Sequence, residues 1–159
     1  MTKILFVCTG NICRSVMAQA VATQKSEEEM LDNLLFDSAG VSDEEHGNQP
    51  DYRAVQILEE HGWLVPTHYA RQIQPSDFED FDLLLAMTSG HQRALTRMAQ
   101  RWGGDASKVR LYREFDPEGA PGDMEVPDPW YGGAREFSDT LEVIERVTPV
   151  MLQALSSLS

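Results

Sequence analysis

Two residues that could together act on a phosphate group stand near the start of the chain, Cys8 and, six positions later, Arg14. A cysteine thiolate is a strong nucleophile, and a guanidinium presents a planar fork of N–H donors that matches two phosphate oxygens. Gly10 lies between them, where the absence of a side chain lets the backbone approach a ligand. The spacing alone is weak evidence, since ten arginines and two cysteines produce it by chance about one time in eight.

The residues on either side place this segment between a strand and a helix. Residues 4–7 form an apolar run typical of a strand buried on both faces, and residues 16–21 repeat apolar side chains at helical spacing after Ser15, which can cap the helix. Backbone N–H groups before a helix N-terminus can converge on an anion, and the helix dipole adds a positive field. We therefore predict a phosphate-binding loop from Cys8 to Arg14 in which Cys8 reacts as a thiolate. The alternative is a small buried cysteine with an unrelated surface arginine.

A candidate acid stands far along the chain at Asp128, between Pro127 and Pro129. The prolines stiffen the backbone and so direct the carboxyl group. An acid held over the thiolate could protonate a leaving oxygen and then activate water. Trp130 and Tyr131 follow and could form a wall for an aromatic ring. The alternative interpretation is a rigid turn whose aromatic side chains pack on the core.

The remaining elements alternate between strands and helices. The patterns predict strands at 34–36, 82–87 and 109–112, helices at 51–61, 89–101 and 137–155, and a loop rich in proline and glycine at 116–134. Such alternation indicates a parallel sheet covered on both faces, with the ligand at the carboxyl ends of the strands. The ends of the first two strands bring Cys8 and Ser38 toward one mouth.

Composition restricts the classes of function. The chain has 159 residues, 26 Asp and Glu against 13 Lys and Arg, and a net charge of −13, which predicts one soluble domain over 1–159 and disfavours nucleic acid or an anionic membrane as partner. No apolar window could span a membrane, and the apolar run at the N-terminus is too short for a secretory signal. We therefore expect a cytoplasmic protein whose cysteines stay reduced. We also expect a monomer.

These segments resemble the low-molecular-weight protein tyrosine phosphatase family. The stretch Val-Cys-Thr-Gly-Asn-Ile-Cys-Arg-Ser at 7–15 resembles the family's signature loop, and Asp-Pro-Trp-Tyr at 128–131 resembles its acid loop. Similarity continues through 37–40, 47–53, 68–73 and 81–83. The resemblance implies an α/β domain of three layers, with a four-stranded parallel sheet flanked by helices on both faces and the phosphate-binding loop after the first strand. It also implies no metal and no cofactor, and as substrate a phosphotyrosine-bearing protein or a small aryl phosphate.

The resemblance also implies roles for individual residues. Cys8 would be the nucleophile that becomes a phosphocysteine, Arg14 the phosphate clamp and Asp128 the general acid. Substrate contacts would come from the loop and the aromatic wall, namely Thr9, Gly10, Asn11, Ile12, Cys13, Ser15, Trp130 and Tyr131. Asn11, Ser15, Ser38 and His68 match a hydrogen-bond network that holds the loop. Cys13 would form a reversible disulfide with the nucleophile, the alternative being a thiol packed beneath the loop.

Departures from the family pattern leave the substrate open. Thr9 stands where many members have Leu. The resulting Cys-Thr-Gly-Asn start at 8–11 is also seen in related arsenate reductases and protein-arginine phosphatases. No cysteine follows Cys13, which excludes the disulfide relay of those reductases. Arginine phosphatases tend to have Thr where this chain has Ile12, and an apolar side chain suits an aromatic ring better than a guanidinium. A protein-arginine phosphatase and a non-catalytic phosphate-loop binding module remain the alternatives.

Two further departures concern the surroundings of the pocket. Thr88 follows Met87 where the family often has Asp, which leaves the orientation of His68 open. Glu44 falls near the pocket rim, where other members often have an aromatic or apolar side chain. The substrate preference of this chain could therefore differ from theirs.

Overall fold

Four parallel strands form the centre of the computed structural model, which describes residues 1–157. The strands are β1 (Thr2–Cys8), β2 (Leu34–Gly40), β3 (Leu83–Ala86) and β4 (Val109–Leu111). Their order across the sheet is β2-β1-β3-β4, and every neighbouring pair is parallel. Because β1 is an interior strand covered on both faces, residues 4–7 are fully buried, which explains their uninterrupted apolar run.

Within residues 1–157, five α-helices cover this sheet. They are α1 (Arg14–Glu28), α2 (Tyr52–Glu60), α3 (Asp77–Asp80), α4 (Ser89–Trp102) and α5 (Ala134–Ser156). The sequence did not predict α3 or the two 3-10 helices at Ala106–Lys108 and Tyr112–Phe115, because a single turn is too short to show an apolar period. No helix within residues 1–157 is long and apolar enough to cross a membrane.

Apolar side chains pack on both faces of the sheet and make three layers. Alternate residues of a strand point to opposite faces, so Ile4 and Phe6 join the cluster that includes residues of α1, α2 and α5. Leu5 and Val7 join the second cluster, which includes residues of α3 and α4. The predicted architecture of a four-stranded parallel sheet between helices is therefore confirmed.

The start of α1 differs from the sequence prediction. The helix begins at Arg14 with Cys13 as its N-cap residue, and no side chain caps it. Ser15 was predicted to cap the helix and does not, because its hydroxyl lies within hydrogen-bond distance of Cys8 Sγ and the Asn11 side chain instead. The first turn of α1 therefore continues directly from the Cys8–Arg14 loop, which leaves the N–H groups at the helix N-terminus near that loop.

A buried ion network joins the long loop to α5. The Asp116 carboxylate accepts hydrogen bonds from Arg113 Nε at 2.8 Å and from Arg146 Nε and Nη2 at 2.9 and 2.8 Å. The bonds from Arg146, followed by the backbone N–H of Glu118 and by Arg113, hold the pKa of Asp116 well below its usual range against the opposing effect of burial. This network fixes the start of the segment that carries Asp128.

Substituting Asp116→Asn is expected to lower the free energy of unfolding by about 3 to 5 kcal/mol, since two arginines would lose their buried counter-charge. Urea denaturation at neutral pH measures this. A depressed folded-state pKa contributes stability above the unfolded value of roughly 3.9, and that stability is lost as pH falls. The deficit of the variant should therefore shrink below about pH 4.

Asp123→Asn is the matched control for this prediction. Asp123 also pairs with Arg113, at 2.8 Å, but its side chain is 70% exposed. Exposed pairs contribute about 1 kcal/mol or less. Equal losses in the two variants would show that burial of the Asp116 network is not what stabilises the fold.

Candidate active site

A pocket opens where β1 ends, and it gathers most of the predicted site residues. Its lining comprises Cys8, Thr9, Gly10, Ile12, Cys13, Arg14, Glu44, Glu45, Asp128, Trp130 and Tyr131. The loop after β1 thus forms the floor, and the segment around Asp128, more than a hundred residues later, forms one wall. Glu44 lies at this pocket together with Glu45, as the sequence indicated for Glu44.

The end of β2 holds the loop from outside. The N–H groups of Val41 and Ser42 donate to the carbonyl oxygens of Cys8 and Thr9, both at 3.0 Å. Gly40 makes this approach possible, because a Cβ there would lie 2.5 Å from the Thr9 carbonyl oxygen. Because the segment after β2 occupies these carbonyl groups, the loop can turn its N–H groups toward an anion.

A buried hydrogen-bond chain supports the loop from below. Asn11 adopts a left-handed backbone conformation with φ of 62°, and its side-chain amide donates to Ser15 Oγ at 2.9 Å. Ser15 Oγ lies 3.0 Å from Cys8 Sγ. Because the Ser15 oxygen accepts from Asn11, its hydrogen is available to the sulfur, where it would stabilise negative charge.

His68 and Ser38 extend the same chain. His68 Nε2 lies 2.8 Å from Asn11 Oδ1 and 3.3 Å from Ser38 Oγ. An amide oxygen can only accept, as Asn11 Oδ1 also does from the backbone N–H of Arg71, so His68 Nε2 carries a hydrogen and donates it. Burial lowers the pKa of His68, which favours the neutral ring. Asn11 therefore orients His68 without the Asp that the family often places after Met87.

Asn11 and Ser15 were predicted to contact the substrate, and their side chains do not line the pocket. Both are fully buried and act on the loop from beneath, as does the network that includes Ser38 and His68. A conformation with positive φ is uncommon outside glycine, which is why Asn11 needs bonds on both sides of its amide.

Arg14 links the loop to the acid-bearing segment. Its guanidinium is buried, donates to the Val126 carbonyl oxygen at 3.2 Å, and lies 3.6 Å from Asp128 Oδ2. Asp128 Oδ1 accepts from the Trp130 N–H at 3.1 Å. One oxygen of the half-exposed carboxylate is thus held by its own turn, and the other faces the pocket.

Arg53 positions this wall, although no sequence motif singles it out. Its Nη1 donates to the carbonyl oxygens of Trp130 and Gly132, both at 3.0 Å, and the guanidinium lies 5.3 Å from the centre of the Trp130 ring. Asp51 holds the same guanidinium at 2.9 Å. In the sequence, Asp51 and Arg53 look like an ordinary charged pair at a helix start, so no local signal identifies this contact.

Cys13 is a buried residue of the pocket lining, and its environment differs from that of a reactive thiol. Burial, followed by the negative charge of Asp51 and the nearby Cys8, raises the pKa of the Cys13 thiol well above its usual range. Cys13 therefore remains protonated at neutral pH. Both cysteines are free thiols in the structure.

Comparison with known proteins agrees with this geometry. The family model for low molecular weight phosphotyrosine protein phosphatase matches residues 3–158. The chain belongs to this family. A low molecular weight protein-tyrosine-phosphatase of Streptomyces coelicolor is 45% identical over 154 residues, which cover 96% of this chain and 93% of that protein. A low molecular weight phosphotyrosine protein phosphatase of Gallus gallus is 35% identical, with 95% and 94% covered.

Solved structures similar to this low molecular weight phosphatase include a tyrosine phosphatase and an arginine phosphatase. A protein tyrosine phosphatase from Entamoeba histolytica has a TM-score of 0.89 at 30% identity and covers 99% of this chain, with 98% of its own chain matched. A drosophila arginine phosphatase has the same TM-score at 31% identity, with 97% and 98% covered. The fold is therefore shared by enzymes named for different phosphorylated residues. In the described part of this phosphatase, no group of three or more His, Cys, Asp or Glu residues could hold a metal ion.

Proposed function

We propose that this phosphatase hydrolyses phosphotyrosine through a covalent phosphocysteine on Cys8. The observation that carries the proposal is the convergence of Cys8, Arg14 and Asp128 on one pocket, with Arg14 and Asp128 3.6 Å apart. A nucleophile, a cationic clamp and an acid are the three groups that the transfer of a phosphoryl group to sulfur requires.

In the first step, the loop N–H groups and Arg14 hold the phosphoryl oxygens so that phosphorus faces the Cys8 sulfur. The thiolate attacks, the bond between phosphorus and the tyrosine oxygen breaks, and Asp128 gives its proton to that oxygen. The hydroxyl of Ser15 stabilises the thiolate before attack. The buried Arg14 neutralises charge on the transferred group in a site where water screens it poorly.

In the second step, the Asp128 carboxylate takes a proton from water as the water oxygen attacks phosphorus. The sulfur–phosphorus bond breaks, which returns the Cys8 thiolate and releases inorganic phosphate. Asp128 is protonated again at the end of this step, so the cycle needs no external acid or base. The network of Asn11, Ser38 and His68 keeps the loop in place through both steps.

The pocket walls support an aromatic substrate. Ile12, Trp130 and Tyr131 line the pocket, and their apolar and aromatic surfaces offer packing contacts to an aryl ring. The drosophila relative named as an arginine phosphatase makes phosphoarginine the second candidate substrate. A phosphate-loop binding module is disfavoured, since a module that only binds phosphate needs neither a nucleophile nor an acid.

Peptides carrying phosphotyrosine, phosphoarginine or phosphoserine at one matched position test this assignment. We expect kcat/KM for phosphotyrosine to exceed the other two by on the order of 100-fold or more. The Ile12→Thr variant should reduce this preference, because its hydroxyl replaces apolar surface beside the ring. Faster hydrolysis of phosphoarginine would assign the chain to the second candidate, and turnover of none would favour the binding module.

Three further expectations accompany the proposal. Cytoplasmic location, a monomeric state and a reversible disulfide between Cys8 and Cys13 each stay predictions. The raised pKa of Cys13 disfavours it as a second nucleophile toward phosphorus, because the thiolate is the attacking form.

A further inference from the structure

A buried histidine that the proposed mechanism does not use lies behind the phosphate loop. His91, in the first turn of α4, is 6% exposed. Its Nε2 lies 2.8 Å from Thr9 Oγ1. Thr9 follows the candidate nucleophile directly and lines the pocket. The contact therefore connects the β3-to-α4 junction to the floor of the site.

The surroundings of His91 determine which ring nitrogen carries the hydrogen. Its Nδ1 is buried and has no hydrogen-bond partner among the described residues. An N–H group without a partner is rarely buried, so the neutral ring places its single hydrogen on Nε2 and leaves Nδ1 with an unused lone pair. Burial and the positive charge of Arg14 lower the pKa of His91 to about 4. The ring is therefore neutral at physiological pH and donates to Thr9.

This donation determines what the Thr9 hydroxyl can do. A hydroxyl that accepts from His91 on one side retains its own hydrogen, which can be donated in another direction. Thr9 lines the pocket between Cys8 and Gly10, on the loop that the proposed function assigns to the phosphoryl group. Because threonine is branched at Cβ, few side-chain rotamers compete with the one that the histidine holds.

From this geometry, and building on the proposed function, we propose that His91 is a positioning residue that orients the Thr9 hydroxyl to donate a hydrogen bond to the phosphoryl group in the pocket. The histidine does not touch the substrate and transfers no proton. It acts through Thr9. The hydroxyl would bind a phosphoryl oxygen beside the donors of Arg14 and the loop.

A double-mutant cycle between the two positions tests the inference. Thr9→Val removes the hydroxyl at nearly constant shape, and His91→Leu removes the donor. Hydrogen bonds to charged groups contribute about 1.5 to 3 kcal/mol, so each variant should lose roughly 10-fold to 100-fold in kcat/KM. The double variant should lose no more than either single variant. His91→Gln, whose amide can still donate to Thr9, should recover part of the loss.

Binding of inorganic phosphate separates this inference from the proposed function. Calorimetry in the Cys8→Ser background requires no turnover and no choice of substrate. We expect Thr9→Val and His91→Leu to weaken phosphate binding by the same factor. Unchanged phosphate affinity in Thr9→Val would overturn the inference, even if tyrosine phosphatase activity is confirmed. This measurement does not require that His91→Leu folds. A double variant whose loss in binding free energy equals the sum of the two single losses would overturn it as well.

Discussion

Cys8→Ser is expected to abolish hydrolysis of aryl phosphates, with kcat reduced on the order of 10⁴-fold to 10⁶-fold, the range seen when a catalytic nucleophile is removed. A serine hydroxyl is a far weaker nucleophile than a thiolate at neutral pH, and the side chain that contacts the sulfur, Ser15 Oγ at 3.0 Å, is a neutral hydroxyl that does not act as a base. Steady-state turnover of a phosphotyrosine peptide measures the loss. Phosphate binding should persist, because the loop N–H groups and Arg14 are unchanged.

The other cysteine supplies the matched control. Cys13→Ser makes the same atomic change five residues further along, at a thiol that burial keeps protonated. Its activity should fall far less than that of Cys8→Ser. A similar loss in both variants, with unchanged circular dichroism spectra, would contradict Cys8 as the nucleophile and would instead indicate that either substitution distorts the loop.

Asp128→Asn is expected to lower the rate of phosphoryl transfer from phosphotyrosine by roughly 10²-fold to 10⁴-fold, the usual contribution of a general acid. The amide keeps the shape of the side chain and cannot protonate the departing oxygen. For an aryl phosphate whose phenolate is already a stable leaving group, the first step should fall by less than about tenfold. Rapid-mixing measurement of the first turnover isolates this step from hydrolysis of the phosphocysteine.

Asp139→Asn is the control for a change in surface charge. Asp139 is an exposed carboxylate on α5, and its loss alters net charge by the same amount as Asp128→Asn. We expect its rates to match the unmodified protein within about twofold, as for a surface substitution worth less than 0.5 kcal/mol. If Asp128→Asn lost the same factor with good and poor leaving groups, Asp128 would not be the acid.

Local pattern predicted the architecture and the centre of the site. The apolar run at residues 4–7 predicted an interior strand because a strand covered on both faces has no polar side to show in its sequence. The loop from Cys8 to Arg14 could also be predicted from local sequence, because a strand, a turn and a helix start follow one another within a few residues. Elements of a single turn, such as α3, have no period to detect.

Local sequence did not predict the contacts between segments that are distant along the chain. Arg53 holds the backbone of Trp130, 77 positions later, and His91 meets Thr9 across 82 positions. Neither arginine at a helix start nor histidine in a helix shows an unusual local pattern. Ser15 shows the opposite error, because a sequence rule made it a helix cap and the folded loop engaged its hydroxyl elsewhere.

The sequence by itself determined which chemical groups this protein has and which of them are neighbours along the chain: a cysteine and an arginine on one loop, and an aspartate between two prolines. Only the tertiary structure decided that Asp128 lies over Arg14, that Asn11 and Ser15 face inward, and that His91 supports Thr9. The physical reason is that such contacts depend on how strands pair and helices pack on the sheet. That arrangement follows from the burial of apolar surface over the whole core, so the sequence of no single segment determines it.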